Sequence, residues 1–338
     1  MHVVSIGRKA QLSAALLGLA FAGTAQAAFS FTDNFSSSTL TKTTATTSAG
    51  GHVSGSPTGT KTDYAIASTK NSTSGLSGGK LTMGLASTSS GFVETQAMFS
   101  NTPLTLSSEG DNIHLTFTFT NSSAAIAPSA VYFGLFHSAG TNKSPYTDLS
   151  QSGLSTALTQ DGTQGAADWT GYAYQVQPSS NSQLRSRPAQ STLGTPNTNN
   201  SAQDLLVAGA GGGAYQGSTT VGSTATAGAV QSITAGSTFT EDFIITLTGG
   251  AYSITSNLYT GTSATGTPVA THTVTDSTLL YNGFDGLAAG YRVTTSGTAT
   301  SMDITALSVT SNVTVPEPGS LSFLGLGGIA LAARRRRA

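Results

Sequence analysis

Ile113–Thr120 reads IHLTFTFT. Apolar and polar residues alternate strictly, so an extended chain carries Ile113, Leu115, Phe117 and Phe119 on one side and His114 with the threonines on the other. The stretch is therefore read as a strand with one face on a core. The same idiom recurs outward in both directions: KLTMGLAS (80–87), FVETQAMF (92–99), AVYFGLFHS (130–138), GYAYQVQ (171–177), FTEDFIITLT (239–248), AYSITSNLY (251–259), GLAAGYRV (286–293) and MDITALSVT (302–310). Gly249-Gly250, between two of these runs, suits a tight hairpin.

About a dozen short strands, each with one apolar face, imply an all-β body: a two-sheet antiparallel sandwich or jelly roll. No stretch of that body sustains a 3.6-residue period, so little helix is expected there. Val53 to Gly79 and Ala189 to Gly236 are the richest in Gly, Ser, Thr and Asn, and read as long loops, the second (about 189–236) a low-complexity one. Charged residues make up only 9% of the 338, against roughly 25% in soluble domains. Disorder by charge needs high net charge with low hydrophobicity, which this chain lacks.

Charge is unevenly placed. Six of the 14 basic residues (Arg8, Lys9 and Arg334 to Arg337) lie in the two ends, which leaves the body 8 against 14 of the 15 acids, a balance of about −6. Nucleic-acid binding needs a basic footprint and is excluded as a function. The absence of cysteine excludes disulfides, zinc-thiolate sites and a cysteine nucleophile.

Both ends read as processing signals. Arg8 and Lys9 precede the apolar stretch Leu12 to Ala22, and Ala25-Gln26-Ala27 fits the small-x-small cleavage rule. Residues 1–27 are thus a signal peptide whose helix directs export through the Sec translocon, with the mature chain starting at Ala28. At the other end VPEPGSLSFLGLGGIALAARRRRA (315–338) joins Pro316-Glu317-Pro318 to the apolar segment Gly319 to Ala333 and then to Arg334, Arg335, Arg336 and Arg337. A short transmembrane helix is expected at 319–333, with the arginines holding its end in the cytoplasm. The prolines keep the preceding stretch extended and open to a processing enzyme.

Residues 314–338 resemble the PEP-CTERM sorting signal of Gram-negative bacteria: the Pro-Glu-Pro motif, the apolar helix and the arginine cluster occur in that order. The resemblance implies recognition by exosortase, a membrane transpeptidase-like enzyme, cleavage near the motif, a transient stay in the inner membrane, and delivery to the cell surface or extracellular matrix. Within 28–313, FTDNFSSS, VYFGLFHSAG, GYAYQV and MDITALSV resemble concanavalin A-like sandwiches, which implies two packed antiparallel sheets.

Chemistry is sparse. A glycosidase needs two carboxyls some 5–10 Å apart. Only Glu94, Glu109 and Glu241 are glutamates of the body. Glu94 has no acidic neighbour at i±2 or i±4, and Glu241 and Asp242 are adjacent and face opposite ways on a strand. His52, His114, His137 and His272 lack metal spacing, and no GxSxG elbow occurs. No catalytic and no metal residue is assigned. If calcium is held, Asp33, Asp285 and Asp303 are the carboxylates to supply it, although no EF-type loop is present. One carbohydrate contact is a candidate, Asp168 with Trp169 and Tyr172, beside Tyr174; the competing reading, which is favoured, makes Tyr172, Tyr174 and Val176 core with Trp169 covering a sheet edge. The expectation is a non-enzymatic, exported structural or adhesive sandwich contacting exopolysaccharide. A polysaccharide-degrading enzyme would need carboxyls converging across a sheet, and a specific lectin would need Trp169 exposed.

Overall fold

The computed structural model describes residues 28–43, 58–68, 74–85, 91–121, 130–138, 169–176, 182–189, 206, 218–222, 233–293 and 299–314. The signal peptide, the segment 315–338 with its motif and apolar run, and Asp168 lie outside the described residues.

The described strands are β1 (Ala28–Asp33), β2 (Thr39–Thr43), β3 (Asp63–Ser68), β4 (Gly75–Ser77), β5 (Lys80–Leu85), β6 (Gly91–Met98), β7 (Leu104–Thr105), β8 (Asn112–Asn121), β9 (Ala130–His137), β10 (Thr170–Val176), β11 (Gln183–Arg187), β12 (Thr219–Val221), β13 (Thr238–Thr248), β14 (Ala251–Thr260), β15 (Ala270–Asp276), β16 (Gly283–Phe284), β17 (Gly286–Val293) and β18 (Thr300–Thr314). No helix occurs among the described residues, hence none there long and apolar enough to cross a membrane. The first sheet runs β15-β14-β13-β8-β18-β5-β4, with β1 also paired to β18. The second runs β12-β11-β10-β9-β17-β6-β3-β2. Along these two orders pairing is antiparallel except between β2 and β3, and a short third ladder joins β16 to β7. The body is all-β, and Phe29–Val313 forms one compact unit.

The opening stretch becomes β8 at the middle of the first sheet, with Ile113, Leu115, Phe117 and Phe119 all buried. The two sheets meet ring to ring. Phe117 of β8 stands edge-on to Phe133 of β9 at 5.5 Å, and Phe133 in turn meets Phe243 of β13 at 5.5 Å. Each such ring removed from water contributes about 1.5–3 kcal/mol. At the far side, the Tyr291 hydroxyl of β17 donates to the carbonyl of Thr300 at 2.9 Å and so ties the second sheet to the first. The hairpin β13–β14 turns at Gly249 and Gly250 with φ of 61° and 73°, a conformation a side chain would strain.

Two loop expectations are corrected. Residues 53–79 contain β3 and β4, and 189–236 contains β12. DYAIAS and TTV are short, small-residue strands at or next to sheet edges, where pairing to a neighbour decides the structure rather than local apolar content. The unanticipated β15, ATHTVTD, is also an edge strand, buried only at Val274 and Asp276.

The sheets also differ in a way alternation alone does not convey. β8, β13 and β14 bury mainly one face. In the second sheet, the residues from Phe92 to Met98, Val131 to Phe136, Gly171 to Val176 and Gly286 to Tyr291 are buried on both faces.

Candidate functional site

The outer face of the second sheet follows from its register. Tyr172, Tyr174 and Tyr291 point inward, where they meet Tyr252, Phe243 and the first sheet, so their chain neighbours point outward. One outer row holds Arg187, Gly171, Phe136, Gly286 and Met98; the next holds Arg185, Ala173, Gly134, Ala288 and Gln96; the third holds Gln183, Gln175, Tyr132, Gly290 and Glu94. Arg292, opposite Ala130 and Phe92, begins the fourth.

This face has two halves. The apolar half is a cluster of Phe92, Met98, Tyr132, Phe136, Trp169, Ala173, Leu206 and Ala288. Trp169 enters just before β10 and lies flat over Gly286, where a Cβ would overlap its ring. Its carbonyl accepts a hydrogen bond from the Arg187 guanidinium. Trp169 is fully buried, and its Nε1 has no hydrogen-bond partner among the described residues. Tyr172 is fully buried as well; its hydroxyl donates to Asp276, and burial together with that carboxylate pushes the phenol far above its ordinary pKa. Both rings are therefore packing elements and present no platform to a sugar.

The other half is polar. Glu94 and Gln96 are joined by a 2.7 Å bond from Gln96 Nε2 to Glu94 Oε1, and the Leu206 amide donates to Glu94 Oε2 at 3.0 Å. Gln183 Nε2 donates to Gln175 Oε1 at 3.1 Å, and Thr220 Oγ1 donates to Gln183 Oε1 at 3.3 Å. The Arg292 guanidinium donates to the Tyr132 hydroxyl, with Arg185 also close enough to act on that phenol; burial nevertheless raises the Tyr132 pKa. Arg185 reaches Ser218 at 3.4 Å.

Five further acids, Glu241, Asp242, Asp33, Asp285 and Asp303, are engaged elsewhere. Glu241 faces the interior between the sheets and accepts from Ser256 Oγ at 2.6 Å. Asp242 faces outward, beside Thr116 at 3.2 Å and His114 at 3.5 Å. Asp33 accepts from the Phe35 amide at 2.6 Å, from Tyr64 at 2.9 Å and from Ser38, and so closes the FTDNF turn, where Phe35 takes a φ of 61°. Asp285 accepts from the amide and hydroxyl of Ser138, both at 2.7 Å. Asp303 takes Lys80 at 2.7 Å and Thr82 at 2.6 Å. The three candidate calcium ligands thus sit on separate elements with protein donors, and the described residues contain no group of three or more His, Cys, Asp or Glu suited to a metal ion.

Sequence reasoning missed this outer face. The signal for it was present: AVYFGLFHS and GLAAGYRV are apolar without alternation, as strands covered on both sides are.

Residues 314–337 match the family profile described as the PEP-CTERM protein-sorting motif. The chain carries that motif at its C terminus, which marks it as an exported, exosortase-sorted protein that passes through a membrane-anchored intermediate. No curated protein matches the chain. Among solved structures, a protein of unknown function from Shewanella oneidensis is similar at 13% identity and TM-score 0.37, over 93% of this chain and 96% of that one. A Lotus tetragonolobus seed lectin is similar at 11% and 0.35, over 74% and 94%. The exoplasmic/lumenal domain of VIP36 is similar at 9% and 0.36, over 77% and 87%. These likenesses assign no residue of this chain a role.

Proposed function

We propose that this is a non-catalytic adhesive or structural protein of the bacterial surface or extracellular matrix. Its sandwich, 28–313, contacts polysaccharide through the polar half of the second sheet's outer face. The chain leaves the cytoplasm through the Sec translocon on residues 1–27 and is held in the inner membrane by 319–333, with Arg334 to Arg337 inside. Exosortase cuts it near Pro316-Glu317-Pro318.

The observation that carries the binding part of this reading is the chemistry gathered on one face. Gln183, Arg185 and Arg292, half-buried on that face, offer an amide and two guanidiniums, groups suited to sugar hydroxyls. Among the described strands that face carries Glu94, whose two oxygens Gln96 and the Leu206 amide occupy, and Asp63 at the start of β3, one position beyond the Tyr64–Ala97 pair and so four residues along from Glu94. Acid-pair hydrolysis needs two carboxyls some 5–10 Å apart, whereas four residues of strand set these about 13 Å apart, so the face is better suited to holding a glycan than to cutting it.

The test compares the intact mass and cellular fraction of the wild type in its native host with those of a variant in which Pro316, Glu317 and Pro318 are replaced by alanine. The wild type is expected to lose its arginine tail and reach the surface, bound to matrix polysaccharide, while the variant stays in the inner membrane. Full-length protein in the membrane for both would overturn the sorting part. Correctly sorted protein that no matrix polysaccharide retains would overturn the binding part.

A further inference from the structure

The body between the two ends contains three arginines, Arg185, Arg187 and Arg292, and register places all three on the outer face of the second sheet. Arg185 and Arg187 come from β11, and Arg292 comes from β17, more than a hundred residues later. In a body with a balance of about −6, chance spreads three cations over both sheets and the loops. Lys80, by contrast, pairs with Asp303 on the other sheet.

The three arginines do different work. Arg187 is fully buried and bonds the Trp169 carbonyl, a structural contact. Arg185 and Arg292 are half-buried and flank Tyr132. Arg185 has no carboxylate partner among the described residues; its recorded protein contact is Ser218 Oγ at 3.4 Å, and its Nε is buried without a hydrogen-bond partner there. A guanidinium presents five donors in a rigid fork suited to a carboxylate. That of Arg185 lies half-buried on the sheet's outer face. Around it lie Gln183, half-buried, and Thr220, exposed, both able to bond hydroxyls.

We infer that Arg185 and Arg292, half-buried on either side of the buried Tyr132, form an anion-recognition site for the carboxylate of a uronic-acid residue in an acidic polysaccharide. The inference rests on the proposed polysaccharide-binding role and narrows its ligand. Arg185 forks onto the sugar carboxylate, Arg292 bonds a ring hydroxyl beside it, and Gln183 with Thr220 takes the neighbouring hydroxyls. Binding to a polyanion through these cations weakens as salt rises.

The test measures binding of the protein, purified from its host, to polygalacturonate, to the same polymer fully methyl-esterified, and to dextran, at low and high salt. The variants are Arg185→Gln, Arg292→Gln and, as a charge-matched control, Lys61→Gln, each checked for an unchanged melting temperature. Expected is salt-sensitive binding to polygalacturonate and little to the ester. Each arginine variant should lose about tenfold or more, as for one charge-assisted contact, while Lys61→Gln stays near wild type. Equal binding to acid and ester, or arginine variants that bind like wild type, overturns the anionic site while leaving polysaccharide binding standing. Binding to none of the three polymers overturns both.

Discussion

Glu241 offers the sharpest test of how the sandwich interior is built. It sits on the inner face of β13 between Phe239 and Phe243 and is fully buried. Oε1 accepts from Ser256 Oγ at 2.6 Å, whereas Oε2 has no hydrogen-bond partner among the described residues. Burial drives its pKa well above the usual carboxylate range, and the Ser256 bond only partly opposes that. The folded protein therefore keeps a proton on Glu241 that the unfolded chain releases at about pH 4 to 5. A raised folded pKa means full stability below the unfolded value and progressive loss as pH rises toward the folded one. Inside that window one retained proton makes the wild type lose about 1.4 kcal/mol per pH unit from this group. Glu241→Gln keeps an acceptor for Ser256 and has no proton to lose. At pH 4 it should match the wild type to within about 1 kcal/mol; as pH rises it should become the more stable of the two. Urea unfolding at half-unit pH steps, with stability taken from midpoint and slope, reads the difference directly. Parallel stability-versus-pH curves for the two proteins would refute the placement of a neutral carboxyl between the sheets.

Two further changes probe neighbouring layers. Gly286→Ala drives a methyl into the Trp169 ring and should cost about 1–3 kcal/mol, seen as a lower melting temperature with altered fluorescence from the chain's single tryptophan; an unchanged melt would mean that Trp169 does not pack there. Tyr172→Phe removes the hydroxyl that donates to Asp276, and should cost about 1–3 kcal/mol near neutral pH by urea unfolding. Burial raises the Asp276 pKa, but bonds from Thr278, Tyr172 and Leu280 outweigh it and hold the carboxyl below its ordinary value. The cost of Tyr172→Phe should therefore shrink as pH falls through that depressed pKa, and a pH-independent cost would assign the effect to packing alone.

Much of the architecture was legible. The period-2 pattern of IHLTFTFT became β8 with its four apolar residues inside, and the Gly249-Gly250 turn joins β13 to β14. Adjacent Glu241 and Asp242 do face opposite ways, since a strand leaves no alternative. The motif at 314–337 is local too, because an enzyme that grips an extended tripeptide beside an apolar run reads chain order rather than a folded surface.

What sequence by itself determined, then, is which segments extend, which side of each is apolar, and the address at the C terminus. These depend on residues within a few positions of one another. Tertiary structure alone decided that Trp169 would be spent covering Gly286, that Glu241 would lie between the sheets, and that Arg185 and Arg292 would flank Tyr132. Each of those depends on register between strands far apart in the chain, and a shift of one residue in any pairing would turn the same side chains to the opposite face.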